Sequence, residues 1–168
     1  MATEARTEVY RFSLGVSVTA GALALFLQAY LPLYVPGIAL LDLPLLVVIY
    51  FGLSRRNPSI GLMLGLMVGL VQDALSSHHI GQYGMAKTLI GFGASSVGIR
   101  LDTEQPTTRL LLVFLFYFLH QLIFGGVQWL LLARPAAWLS LTVLEAALVN
   151  ALLAVLVFPV LDRFRRPA

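Results

Sequence analysis

Cysteine is absent from this 168-residue chain, and charged side chains are scarce. The lack of cysteine excludes disulfides and metal sites with thiolate ligands. Charged residues make up 11% of the sequence, against about 25% in soluble domains. Hydrophobic residues make up 59%, and the mean hydropathy is +0.88. The chain therefore has the composition of a protein that folds in lipid.

The sequence also lacks any linker-like segment, low-complexity tract or internal repeat. At this length we expect one domain covering residues 1–168. The net charge of +3 is small, and the basic residues lie between apolar runs rather than in a polar, basic segment. Nucleic-acid binding needs a basic face in polar surroundings, so no nucleic-acid partner is expected.

Long apolar runs account for most of the sequence. A transmembrane helix needs about 20 mainly apolar residues, within a range of about 17–25. Short breaks rich in proline, glycine or charge separate six runs of this kind. The runs cover residues 12–31, 38–53, 60–76, 83–99, 110–132 and 139–161. The sequence thus predicts an all-α, polytopic integral membrane protein with six transmembrane helices.

Basic residues predict the orientation of the spans, because Lys and Arg are enriched in cytoplasmic connections. Of the 11 Lys and Arg residues, one (Lys87) lies inside a span and one (Arg134) lies on the sparsely charged side. The rest share the other side: Arg6, Arg11, Arg55, Arg56, Arg100, Arg109, Arg163, Arg165 and Arg166. We therefore expect this side, with both termini, to be cytoplasmic.

Charged residues inside the predicted spans or at their edges all lie in the outer half. They are Asp42, Asp73, Lys87 and Glu145. A charge at the bilayer centre costs at least about 2.5–3.5 kcal/mol, and less near the interface. Such residues are expected to face protein or water and to pair. For Asp42 and Lys87 the alternative is that they only anchor helix ends.

The sequence suggests Asp73 and Lys87 as an ion pair. They lie symmetrically about residue 80, in the connection between the third and fourth spans, so they would be level in a helical hairpin. Gln72 beside Asp73 and Asn150 in the sixth span extend a predicted polar network. Glu145 is the deepest of the four charges, and we expect it to be buried or to face a cavity.

No motif predicts catalysis, a cofactor or a metal site. The sequence contains no G-x-S-x-G, no H-E-x-x-H and no phosphate-binding loop. His120 lies near the middle of the fifth span, where a hydrogen bond to a neighbour is favoured over proton transfer. His78 and His79 are adjacent but lack Cys, Asp or Glu at ligand spacing. An enzyme is not expected.

Glycines recur every fourth residue in the third span, at Gly61, Gly65 and Gly69, and Gly91 continues the theme in the fourth. In lipid, small residues allow helix backbones to approach closely, which supplies much of the attraction between helices. The pattern predicts a face for helix packing within the chain. The alternative is a face for a partner or for a second copy of the chain.

Residues 42–91 combine spaced glycines, an aspartate, a short polar connection and further glycines, in DLPLLVVIYFGLSRRNPSIGLMLGLMVGLVQDALSSHHIGQYGMAKTLIG. The pattern consists of Gly65, Gly69, Asp73, Gly81 and Gly84, with Pro44 in the second span and the turn from Arg56 to Pro58. This block resembles the rod shape-determining protein MreD family, whose members have a comparable size and about six spans. The first, fifth and sixth spans are similar to the family only in hydropathy and length.

The resemblance implies a non-enzymatic scaffold of the elongation machinery in the bacterial inner membrane. Its expected partners are the bitopic protein MreC, the MreB filament, peptidoglycan synthases and membrane lipids. The resemblance also allows a homodimer within that complex.

The resemblance also implies a fold similar to the substrate-binding subunits of energy-coupling-factor vitamin transporters. Those subunits have six spans, both ends inside, and a small-x-x-x-small motif in the first span, which Ala20 and Ala24 match. They usually need a larger outer loop as a lid, whereas the outer connections here have about six residues each. The scaffold is therefore favoured, with the vitamin-binding subunit as the alternative.

Overall fold

The computed structural model describes residues 12–76, 79–133 and 140–165. In these ranges every regular element is helical, which confirms the predicted all-α class. The α-helices are α1 (Leu14–Tyr30), α2 (Leu43–Arg55), α3 (Pro58–Leu75), α4 (Gln82–Arg100), α5 (Pro106–Leu132) and α6 (Leu141–Asp162). Two 3-10 turns, Leu31–Leu33 and Pro36–Leu40, connect α1 to α2. Arg6, Arg11, His78, Arg134 and Arg166 lie outside the described residues.

Five of the six helical segments are long and apolar enough to cross a membrane. The exception is α4, whose 19 residues include buried polar side chains. It packs against α2, α3 and α5, so its polar residues meet protein rather than lipid. A multi-pass membrane protein is confirmed.

Local capping explains where the helices begin. The side chains of Ser13, Asp42, Asn57 and Ser140 each accept a hydrogen bond from a backbone N–H in the first turn of the following helix. This is the usual role of Ser, Asp and Asn at an N-cap. Proline occupies the first turn of α2, α3 and α5, where its missing N–H is not needed.

The centre of the molecule is α2. Eleven of its 13 residues, from Pro44 to Ser54, are buried. It touches all five other α-helices. The main core forms around it, with Tyr50 and Phe51 packed edge-on against Phe12 at ring-centroid distances of 5.7 and 5.1 Å.

The glycines of α3 lie directly against the backbone of α4. A Cβ added to Gly65 would overlap the carbonyl oxygen of Lys87, and one added to Gly69 would lie 2.7 Å from the Cα of Gly84. Gly61 and Gly91 face each other's carbonyl groups across the same contact. This face is therefore filled within the chain, so a partner or a second copy would have to use another surface.

Candidate functional site

Lys87 and Asp42 form an ion pair in the interior, between α4 and the start of α2. The Lys87 ammonium donates to both carboxylate oxygens of Asp42, at 2.8 and 2.7 Å. Lys87 is fully buried, and Asp42 is 8% exposed. The carboxylate also accepts from the backbone N–H of Leu45 at 3.0 Å, so one side chain caps α2 and binds the cation.

The predicted pairing of Lys87 with Asp73 is wrong. The Asp73 carboxylate instead accepts hydrogen bonds from the backbone N–H groups of Gly81, Tyr83 and Gly84, each at 2.9 Å. The first turn of a helix leaves its N–H groups without partners, and Asp73 at the end of α3 supplies acceptors for the start of α4. Symmetry about residue 80 predicts that both residues lie near the connection, but the backbone N–H groups at the start of α4 take up the Asp73 carboxylate instead.

Asn150 joins α6 to the segment before α2. Its side-chain oxygen accepts from the backbone N–H of Asp42 at 2.9 Å. Its amide nitrogen donates to the carbonyls of Leu40 and Ala146, both at 2.8 Å. Asn150 is fully buried, so these bonds satisfy a side chain that water does not reach.

Gln28 of α1 belongs to the same region, although the sequence did not single it out. Its amide nitrogen donates to the carbonyl of Leu41 at 2.8 Å, and its oxygen accepts from the N–H of Leu43 at 3.0 Å. Gln28 and Asn150 thus both bind the backbone at the start of α2, one from α1 and the other from α6. A glutamine in a mostly apolar span was the available signal.

Aromatic rings cover the ion pair. The Lys87 ammonium lies 5.2 Å from the centre of the Tyr83 ring. His120 is 1% exposed and stacks on Tyr83 and on Phe124, with centroid distances of 6.1 Å to each. Neither ring nitrogen of His120 has a hydrogen-bond partner in the described ranges. The hydrogen bond expected for His120 is therefore replaced by ring stacking.

Gln72 and Glu145 lie apart from the ion pair. Gln72 is buried and lines a small cavity of about 150 Å³ together with Gln28 and Tyr83. Glu145 is exposed, which contradicts the expectation that it is buried or faces a cavity. The reason is helical rotation: Ala146, Ala147 and Asn150 point into the core, which leaves Glu145 on the outer face of α6.

A second ion-pair cluster at the opposite end of the helices was missed by the sequence analysis. Asp162 accepts from the Tyr50 hydroxyl at 2.8 Å, from Arg109 at 2.6 Å and from Arg165 at 2.8 Å. Arg165 also reaches Glu104 at 3.5 Å. Burial works against the charged form of Arg165, but hydrogen bonding to Tyr50 and the nearby carboxylates raise its pKa above the ordinary value. An aspartate at a helix end between arginines was the available signal.

A model of the rod shape-determining protein MreD family matches residues 8–166, which is almost the whole chain. The chain belongs to the rod shape-determining protein MreD family. Comparisons with curated proteins and with solved structures gave no match. Membership gives the chain a role in rod-shape determination, in a family of shape-determining structural proteins rather than enzymes.

In this MreD-family chain the polar residues of the interior hold helices together. Asp42, Lys87 and Asn150 connect α2, α4 and α6, and Asp73 connects α3 to α4. Within the described ranges, no three His, Cys, Asp or Glu side chains are grouped to hold a metal ion. The arrangement fixes the geometry of the bundle, and the large apolar side chains left exposed are available to lipid or to other proteins.

Proposed function

We propose that this chain is a non-enzymatic scaffold of the elongation machinery in the bacterial inner membrane. It binds the transmembrane helix of MreC directly, and through the complex it links the MreB filament and the peptidoglycan synthases. Membership of the MreD family carries this proposal, because it connects the chain to rod shape.

The distribution of polar groups supports a scaffold. Asp42, Lys87 and Asp73 bind partners inside the chain, so they stabilise one helix arrangement. Only two residues, Arg56 and Asn57, separate α2 from α3, and five separate α4 from α5. With connections this short, helix surfaces are the main area that a membrane partner can contact. In lipid such contacts depend on close packing and on matched polar groups.

The cavity among the buried polar side chains is too small to support the alternative, a vitamin-binding transporter subunit. The polar cavity near Gln28 and Gln72 measures about 150 Å³. Small-molecule sites usually measure about 300–1,000 Å³. A bound vitamin is therefore kept only as a competing outcome of the experiment below.

The experiment is depletion of the protein in a rod-shaped bacterium, followed by complementation and purification in mild detergent. Depletion should round the cells, and the wild-type gene should restore rods and yield MreC in the purified complex. Asp73→Ala should complement poorly because α4 loses its capping carboxylate. Gly37→Ala is the control, since no atom lies within 4 Å of the added methyl group.

Two results would contradict the scaffold. One is that cells keep their rod shape without the protein. The other is that the purified protein lacks MreC and binds a vitamin with nanomolar affinity, which would support the transporter subunit instead.

A further inference from the structure

An apolar groove of about 640 Å³ runs between α1 and α3 on the outside of the bundle. Its floor is formed where Gly21 of α1 approaches Val68 of α3. Its walls include Phe26 and Met63, which are 56% and 55% exposed. The volume lies within the range of about 300–1,000 Å³ that small-molecule sites occupy. The groove can therefore take an acyl chain of a lipid.

Arg55 lies at one end of the groove, at the last residue of α2. Its Nη2 atom donates to the Ser17 hydroxyl at 2.7 Å and to the Phe12 carbonyl at 3.4 Å. In the described part of the chain, Nε and Nη1 donate to nothing, and Nε is buried. The side chain is held in place by Ser17, and its Nη1 atom is left for a further acceptor.

The predicted topology places Arg55 at the level of lipid headgroups. It lies in the connection between α2 and α3, which the charge distribution assigns to the cytoplasmic side. Arg56 follows it, and the Nη1 atom of Arg56 is also buried without a described partner. A guanidinium forms paired hydrogen bonds with phosphate oxygens. Basic pockets between helices on this side of a membrane bind anionic headgroups.

We propose that the groove between α1 and α3 binds an anionic phospholipid of the cytoplasmic leaflet. An acyl chain lies along Phe26 and Met63, and the phosphate binds Arg55. This site goes beyond the scaffold function and does not depend on it, since lipid binding is a property of the chain alone.

A transmembrane helix of a partner is the other conceivable occupant, and the groove suits it less well. Tight helix contacts in lipid need small residues that let backbones meet. The glycines of α3 are turned towards α4, and the wall that α3 presents to the groove carries Met63 and Met67 instead. Methionine is flexible and adapts to ligands of irregular shape, which suits an acyl chain.

The test uses native mass spectrometry of the full-length protein after removal of lipid in detergent. Phosphatidylglycerol and phosphatidylcholine with identical acyl chains are titrated separately. Phosphatidylglycerol should bind about tenfold more tightly, because it brings a net negative charge to Arg55, whereas the choline ammonium of phosphatidylcholine offsets the charge of its phosphate; a tenfold change is about 1.4 kcal/mol. Equal affinity of the two lipids would overturn the proposal.

Substitutions test whether the lipid binds in the groove. Arg55→Gln should reduce the affinity for phosphatidylglycerol about tenfold, to that for phosphatidylcholine. Arg100→Gln is the matched control, because Arg100 is an exposed arginine at the end of α4 and lies outside the groove. An equal loss in both variants would contradict a specific site.

A second variant covers the case in which Arg55→Gln does not fold. Ala22 is exposed on the groove wall, so Ala22→Trp fills the groove and leaves the bonds of Arg55 to Ser17 intact. It should weaken the binding of both lipids at unchanged thermal stability. Unweakened binding would overturn the proposal. So would a photoreactive residue at position 22 that crosslinks in cells to a protein helix instead of lipid.

Discussion

The ion pair between Asp42 and Lys87 is a strong local constraint on the fold. Lys87 is fully buried and Asp42 is 8% exposed, and each charge is the partner of the other. Removing one member of such a pair typically costs about 3–5 kcal/mol, because the other is left as a buried, unpaired charge. Replacing both costs far less, since no charge then remains to be desolvated.

A double-mutant cycle tests this pair. Asp42→Asn keeps a good N-cap residue and removes the charge, while Lys87→Met keeps most of the volume. Each single change should lower the free energy of unfolding in detergent by about 3–5 kcal/mol, and the double change by less than the sum. The control cycle combines Lys87→Met with Asp73→Asn and should show a smaller coupling, because these residues share no hydrogen bond. Additive losses for Asp42 and Lys87 would refute the pair.

Asp73 should be important for stability in a different way. Asp73→Ala removes the acceptor of three backbone hydrogen bonds at the start of α4. The expected loss is about 2–4 kcal/mol, since hydrogen bonds to charged groups contribute about 1.5–3 kcal/mol each and water replaces part of them. Glu145→Ala is the control: Glu145 is exposed, so thermal unfolding should change by less than about 0.5 kcal/mol. Equal effects of the two changes would contradict the assigned roles.

At the scale of helices, the contact between α3 and α4 depends on missing side chains. Gly65→Ala places a methyl group on the carbonyl of Lys87 and should destabilise the protein by about 1–3 kcal/mol, with Gly65→Leu worse. Gly21→Ala is the matched helical control, since the added carbon would lie 3.8 Å from Val68, an ordinary contact. Thermal unfolding in detergent measures both. Unchanged stability of Gly65→Leu would show that α3 and α4 do not touch there.

The helices could be predicted from sequence because both signals are local: apolar runs form the spans, and proline or glycine between the runs ends them. Proline and glycine breaks placed the predicted spans within a few residues of α3 and α5. The choice of partner for Lys87 could not be predicted, because it depends on which face α4 turns towards α2. The burial of Glu145 was predicted wrongly for the same reason. The position of Glu145 along α6 follows from the sequence, but the side of the helix that faces the core depends on the rotation of α6. Asp162 was missed because its partners Tyr50 and Arg109 come from distant helices.

For the whole molecule, the absence of cysteine makes the topology easy to test. Single cysteines at Thr107 and Ser140 lie at opposite ends of the bundle, near the starts of α5 and α6. With both termini cytoplasmic, a membrane-impermeant thiol reagent should label Ser140→Cys in intact cells and Thr107→Cys only after permeabilisation. The wild-type chain, which has no cysteine and should not react with the reagent, is the control. Labelling of Thr107→Cys from outside would reverse the proposed orientation.

The 45 residues that separate Asp42 from Lys87 also set an order of events during biosynthesis. At about 5–20 residues per second, the ribosome makes the lysine about 2–9 s after the aspartate. Throughout that interval the Asp42 carboxylate lacks Lys87, the cation that binds it in the folded chain. We therefore expect α2 to stay within the insertion machinery until the α3–α4 hairpin arrives. A nascent chain stalled before α4 should crosslink to that machinery, and one stalled after α4 should be released into lipid.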